Sequence, residues 1–380
     1  MRRFIFFMIS LLLLFPNTCF AEELVPNGKS AILIEAGSGR IVFQKSKDEQ
    51  LSVASLTKMV AQIIILEEIE KGSIHWEDVV TISRNASNMG GSQIYLEEGE
   101  KISVRDLMKG ISIASGNDAV VAMAEYISGS EEAFVDRMNQ VVRKLKLQNT
   151  HFVNCTGLDE EGHYSSSYDM AMIARELLLK HPAILDFSSV YEDYLRENTN
   201  NKFWLVNTNK LIRFYEGADG LKTGHTDNAG YCLAATAKRG NLRLIGIVLG
   251  EENSKVRNQE LMDLLDYGFQ NVQMNCFMKK GTVVGKTKID MASSKTITAV
   301  LQDDLCIMED KGQKKSYDYH VSFDDISLPI SKNQKVGLLE VLSNGKPVTT
   351  VDIVSSSDIS KISLISFYTN TLWNYISGVF

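Results

Sequence analysis

The 380-residue sequence predicts an α/β (α+β) enzyme domain, a small all-β domain after it, and an amphipathic helix at the C-terminus. Three observations carry this. Before Cys276, strand-like runs stand at both ends of a segment whose middle has long helical patterns. After Cys276, short β-rich runs alternate with Gly, Asn, Asp and Ser turns. From Ser357 onward, apolar residues recur at three- and four-residue steps.

The elements follow in order. Ala31-Ile-Leu-Ile34 and Ile41-Val-Phe43 read as a hairpin around Gly37-Ser-Gly39. From Ser55 to Lys71 the period becomes helical, with Val60, Ile63, Ile64, Leu66 and Ile69 apolar and Gly72 as the stop. Ser103-Val-Arg-Asp106 starts a further helix that ends near Ala114. Glu131 to Lys146 and Ser166 to Lys180 continue the helical middle. Tyr231 to Ala237 and Leu242 to Leu249 return to strand character, and Lys255 to Phe269 is helical. The β-rich part holds runs at Thr282–Val284, Thr296–Leu301, His320–Phe323, Lys335–Val341 and Pro347–Val354, the last two joined by the turn signal Asn344-Gly345. In the final stretch Ile362, Ile365, Tyr368, Leu372, Trp373, Ile376 and Phe380 form an apolar stripe, which suits a helix lying in a membrane interface or packed on the β domain. Its polar face carries Lys361 but no basic cluster.

The N-terminus has a targeting pattern. Arg2 and Arg3 precede an apolar run from Phe4 to Phe15, Pro16 breaks it, and Cys19-Phe-Ala21 offers small residues where a signal peptidase reads. The run is too short to span a bilayer, so cleavage after Ala21 and export are expected. The expected organisation is a signal peptide at 1–21, a catalytic domain at 22–273, a β domain at 274–355 and the terminal helix at 356–380.

Hydrophobic content of 44% and charged content of 23% fit a soluble globular protein. The formal net charge is −7, and cleavage removes two arginines to leave −9. This excludes a dedicated nucleic-acid binder, which needs a clustered basic surface. The mature chain keeps Cys155, Cys232, Cys276 and Cys306, none in metal-ligand spacing, so no metal or other cofactor is expected. Export permits disulfides, but the count fixes no pairing, and each cysteine reads as a small buried hydrophobe.

Three short motifs carry chemistry: Ser55-Leu-Thr-Lys58, Ser115-Gly-Asn117 and Lys222-Thr-Gly224. Alone the patterns are weak. Ser-x-x-Lys recurs at Ser343–Lys346, and Ser-x-Asn at Ser83–Asn85 and Ser331–Asn333; Lys-Thr-Gly occurs once. Their order and placement give them meaning. Ser55 stands at a helix start with Lys58 one turn on, on the same face. A serine hydroxyl needs a base within hydrogen-bond reach, and a lysine serves only when neutral. Burial and a second cation, for which Lys222 is the candidate, lower its pKa. Ser115 and Asn117 fall on a Gly-containing loop after a helix. Lys222 and Thr223 lead into the strand from Tyr231 and suit a substrate carboxylate. Gly224 is read as room for an extended substrate to approach the backbone. A Ser-His-Asp reading through His225 is set aside, since no Gly-x-Ser-x-Gly elbow is present. His151 and His163 read as polar loop residues.

The runs Ala54-Ser-Leu-Thr-Lys-Met59, Ser115-Gly-Asn-Asp-Ala119, Asn154-Cys-Thr-Gly-Leu-Asp159 and Gly220-Leu-Lys-Thr-Gly-His-Thr226 resemble the low-molecular-mass penicillin-binding D-alanyl-D-alanine carboxypeptidases, serine peptidases of family S11. The resemblance implies a β-lactamase/transpeptidase-like enzyme domain, with a Ser55 acyl-enzyme that removes the terminal D-Ala from peptidoglycan stem peptides. It implies Lys58 as base, Ser115 as a further catalytic group, and Asn117, Lys222, Thr223, Gly224, His225 and Arg257 as substrate-binding residues. The N–H of His225 would join that of Ser55 in an oxyanion hole, and Arg257 would stand near the substrate carboxylate. It also implies covalent binding of β-lactam antibiotics, a role in wall maturation and cell shape, and attachment to the outer face of the cytoplasmic membrane by the terminal helix. A β-lactamase would share the motifs, but no Glu-x-x-Leu-Asn lies between Asn117 and Lys222 to activate a deacylating water. Slow release of penicillin is therefore expected. A wall-binding protein that kept only the fold is the non-enzyme alternative, and it would leave Ser55 unmodified by penicillin.

Overall fold

The computed structural model describes residues 24–197, 199–313 and 315–362. The expected signal peptide and residues 363–380 of the expected terminal helix lie outside them.

The expected first hairpin forms from β1 (Ser30–Glu35) and β2 (Ile41–Lys45). One 3-10 turn, Ala54–Thr57, then enters α1 (Lys58–Glu70). Every residue from Lys58 to Leu66 is buried. A helix covered on all sides is a central one, and α1 packs against α2 (Val104–Ile113, reached through the Ser103 cap), α3 (Asn117–Ser128), α4 (Glu131–Lys144) and α5 (Ser167–Lys180) in one apolar core. A small hairpin of β3 (Glu192–Leu195) and β4 (Phe203–Val206) follows. Then come β5 (Ala218–Thr226), β6 (Gly230–Arg239), β7 (Leu242–Glu251) and α6 (Ser254–Asn271).

Strands β1, β2, β5, β6 and β7 build one antiparallel sheet in the order β2-β1-β7-β6-β5. Both its faces are covered, which explains why its strands read as continuous apolar runs. Ile32, Ile34, Ile245 and Ile247 face the α1 side, whereas Leu33, Leu233, Leu244 and Val248 face α6. The strand β5 stands at the sheet's edge, beside the turn that carries Ser55.

Two expectations change here. Lys222-Thr-Gly224 lies inside its own strand, β5, rather than in a lead into β6. Asn117 is the first residue of α3, not a loop residue. Polar and glycine residues hid β5 from a reading based on apolar periodicity, and the polar pair Asn117-Asp118 hid where α3 begins.

The C-terminal part has its own core, with Ile297, Ala299, Leu301, Val336, Leu339 and Ile353 buried. The strands β8 (Val272–Met278) and β11 (Leu305–Asp310) pair with each other. A five-stranded sheet runs β9 (Val283–Lys288), β10 (Thr296–Leu301), β14 (Lys346–Ser355), β13 (Lys335–Ser343) and β12 (Asp318–Phe323). The Asn344-Gly345 turn takes φ of 51° and 72°, the left-handed pair such a tight hairpin requires. The expected helix does not begin at 356. Ile359 is buried and bridges Ile330, and Lys361 bridges Ala292, so residues 357–362 run extended as part of this β unit. The period that suggested a helix there includes Ile362, which follows a residue used for strand pairing.

Cys276 and Cys306 are cross-strand partners on β8 and β11 and form a disulfide. This corrects the reading of these two as buried thiols, which holds for Cys155 and Cys232. The loop spans 30 residues. Replacing both cysteines by serine is expected to lower stability by about 3 kcal/mol, read as a fall in the urea midpoint.

Candidate active site

The turn that presents Ser55 opens at Ala54, held at φ 48°. Three elements close on it: the edge strand β5, the start of α3, and the loop from Asn154 to Leu158. Gly224 is central to this closure. A Cβ there would lie 2.8 Å from the Val53 carbonyl oxygen and 3.0 Å from Ala54 Cβ. Its lack of a side chain therefore lets β5 pack against the turn, which corrects the reading of it as room for substrate.

Lys58 is fully buried, and its Nζ sits 2.8 Å from Ser55 Oγ, 2.7 Å from Asn117 Oδ1 and 2.6 Å from the Thr156 carbonyl oxygen. Burial brings its pKa down to about 7, against the opposing pull of Cys155 and Asp118. A neutral amine has two N–H bonds and one lone pair. The Thr156 carbonyl can only accept. The Asn117 amide is fixed with its Nδ2 donating to the Gly90 carbonyl at 2.7 Å, so its Oδ1 can only accept as well. Both N–H bonds of a neutral Lys58 are thereby claimed, and its lone pair is left facing the Ser55 hydroxyl. That is the geometry of a general base.

Lys222, also buried, donates to Ser115 Oγ and to the Thr223 carbonyl, each at 2.8 Å. Burial pushes its amine well below the ordinary lysine range, and Lys58 and Arg257 add to this as positive neighbours. Burial lowers Lys58 as expected, whereas the repulsion between the two lysines falls on Lys222 and not on Lys58. Ser115 sits at φ 64°, in the tight link between α2 and α3. Thr223 Oγ1 donates to Thr208 Oγ1 at 2.7 Å.

His225 is exposed, and its ring lies 3.9 Å from that of Tyr231. Arg257, on α6, is no solvated surface charge. It is buried behind β6, with its guanidinium 3.5 Å from the Cys232 carbonyl and held by Asn258 Oδ1. Cys232 is the register partner of Gly224, so Arg257 stands one strand behind the Lys-Thr-Gly run. Burial lowers its pKa to about 10.

Several contributors were not singled out from the sequence. The Thr156 carbonyl reaches the centre because Gly157 turns the chain at φ +82°, where a Cβ would run into the Ala54 carbonyl. Gly157→Ala is expected to displace that carbonyl and lower activity at least about 100-fold, measured as the acylation rate of Ser55 in folded protein. Asp118 is buried and accepts from the N–H groups of Ile94 and Leu96. His163 is the polar loop residue expected, but it is buried. Its Nδ1 accepts from the Val153 N–H, so Nε2 donates to Thr57 Oγ1 at 2.8 Å. Burial brings its pKa to about 4 and keeps it neutral. Carbonyls and tautomers leave no mark in residue identity; only the run Asn154–Asp159 pointed toward this loop.

Fold and cluster together suit a serine acyl-transfer enzyme, with a lysine one turn along where a triad would have its histidine. The chain belongs to the D-alanyl-D-alanine carboxypeptidase family, whose pattern matches residues 20–253. Residues 273–361 match the C-terminal domain of penicillin-binding protein 5. It is 44% identical to D-alanyl-D-alanine carboxypeptidase DacF of Bacillus subtilis across 96% of each chain. Penicillin-binding protein 5 from Haemophilus influenzae superposes with a TM-score of 0.72 at 30% identity, covering 88% of this chain and 98% of that one. Penicillin-binding protein D2 from Listeria monocytogenes, solved with ampicillin bound, gives 0.58 at 29% identity, with 64% and 97% covered. The chain is a serine-type D-alanyl-D-alanine carboxypeptidase of peptidoglycan metabolism.

Proposed function

We propose that Ser55 attacks the carbonyl between the two terminal D-alanines of a peptidoglycan stem peptide, with Lys58 as the base that takes its proton. The observation that carries this is the amine whose two N–H bonds are claimed by acceptors, leaving its lone pair on Ser55 Oγ. The developing oxyanion is held by the N–H groups of Ser55 and His225, a pairing supported by the packing of the edge strand β5 on the Ser55 turn. Ser115, bonded to Lys222, passes the proton to the leaving amine. The substrate's terminal carboxylate lies by Thr223 and Lys222 with Arg257 behind. The arriving anion supplies the counter-charge these buried cations lack and draws a proton back onto Lys222. Asn117 both orients Lys58 and holds the peptide group of the substrate. Water then resolves the acyl-enzyme.

By the same reading a β-lactam acylates Ser55 and leaves slowly. The enzyme works outside the cytoplasm after loss of the signal peptide, in a 22–273 catalytic unit with a β unit behind it, peripheral to the outer face of the membrane through its C-terminal segment. Among the described residues no helix is long and apolar enough to cross a membrane. Mass spectrometry of stem peptides before and after treatment tests the reaction. Pentapeptides are expected to become tetrapeptides with release of D-alanine. An unchanged peptide pool, or cleavage confined to cross-bridges, would overturn the assignment.

A further inference from the structure

Beyond the catalytic cluster, two non-glycine residues in the left-handed region meet at one cavity. Tyr95 has φ 56° and Arg196 φ 54°. A bulky residue held there is costly, and it persists only where the surroundings impose it. Those surroundings are clear. The Asp118 carboxylate holds the N–H groups on either side of Tyr95, at Ile94 and Leu96. Arg196 caps the carbonyls of Ile94 and Tyr95 at 3.1 and 3.2 Å and is itself fixed by both carboxylate oxygens of Glu100, at 2.6 and 2.9 Å. The result is an aromatic side chain pushed outward, 67% exposed, with its ring edge-to-face on Phe203 at 5.6 Å.

Between these groups lies a cavity of about 620 Å³, lined by Tyr95, Phe203, Arg196, Glu97, Thr199 and Asn201. Two ring faces beside an amide, a hydroxyl, a carboxylate and a guanidinium suit a pyranose, which has apolar C–H faces and a rim of hydroxyls and amides. The strip that carries Tyr95 is tied to the reaction centre by a backbone hydrogen bond. The Asn117 N–H donates to the Ser92 carbonyl at 2.7 Å, and Tyr95 is three residues further along that strip. Three residues span at most roughly 11 Å. The four stem residues on the acyl side of the cleaved bond span up to roughly 14 Å when extended, so the sugar that carries the stem falls within reach of Tyr95.

We propose that this cavity is a subsite for the amino-sugar end of the substrate, so that the enzyme reads the glycan as well as the D-Ala-D-Ala terminus. This rests on the carboxypeptidase reading and adds a second contact to it. Left-handed backbone is spent on presenting a ring to solvent, which stability alone does not call for.

The test compares kcat/KM for a disaccharide-pentapeptide and for the same pentapeptide without sugar, using wild type, Tyr95→Asn and Tyr95→Phe. Asparagine tolerates the left-handed backbone, and phenylalanine keeps the ring. The expected result is a roughly tenfold preference for the sugar-bearing substrate in wild type. Tyr95→Phe keeps that preference and Tyr95→Asn removes it, while the rate on free pentapeptide is unchanged in both. Equal rates on the two substrates in wild type would overturn the subsite, as would a preference that survives in Tyr95→Asn or an equal loss on both substrates. Failure of wild type to release D-alanine from free pentapeptide would instead strike the carboxypeptidase reading, and the subsite with it.

Discussion

Ser55→Ala is expected to lower D-alanine release at least about 10⁴-fold and to abolish covalent labelling by a fluorescent penicillin. Both effects follow from one atom. The Oγ of Ser55 is the oxygen that Lys58 Nζ approaches at 2.8 Å, and alanine leaves the lysine with nothing to deprotonate. Surrounding donors and binding contacts survive the change, so some residual turnover above water is expected. Retention of labelling at another residue would move the nucleophile elsewhere. Ser343, which also opens a Ser-x-x-Lys pattern, provides the internal control: it lies at the end of β13, in a hairpin of the C-terminal sheet, and Ser343→Ala should leave the rate unchanged.

The second large effect concerns Lys58. With a pKa near 7 its amine loses its lone pair in acid, so kcat/KM is expected to rise with pH along a limb centred near 7. Lys58→Gln removes the base and should lower kcat/KM about 10²- to 10⁴-fold. Stability carries the same signature with a definite sign. The unfolded chain holds a proton on this lysine up to about pH 10.5, whereas the folded protein has lost it above about 7. Between these values the unfolded state binds more protons, so the penalty for burying Lys58 shrinks and stability rises with pH. Below about 7 the penalty is full. Lys222, also lowered by burial, acts in the same direction. A urea midpoint that rises less with pH in Lys58→Gln than in wild type would support this; identical slopes would assign the effect to other groups.

Much of this was legible in residue order. The first hairpin, the helices capped at Ser103, Ser130 and Ser166, the strands β6 and β7, and the Asn344-Gly345 turn all announce themselves by local chemistry or by period. Elements with functional residues were harder. The strand β5 contains Lys222, Thr223, Gly224 and His225 and so lacks the apolar pattern of an ordinary strand, while α3 opens on the polar pair Asn117 and Asp118, which masks where it begins. Pairing between distant segments was also hidden, as Cys276 with Cys306 illustrates: the bond depends on the register of β8 against β11.

Sequence by itself determined which side chains are candidates for acyl transfer, namely Ser55, Lys58, Ser115, Asn117 and Lys222, because residue identity and order are written in the chain. Only the tertiary structure decided how they act. A lysine is a base or a cation according to burial, and burial is a property of the packed core around α1. Where its lone pair points depends on which acceptors surround it, and one of these, the Thr156 carbonyl, is backbone common to every residue type. The same holds for Arg257, whose burial behind the Lys-Thr-Gly strand comes from the sheet packed against its helix.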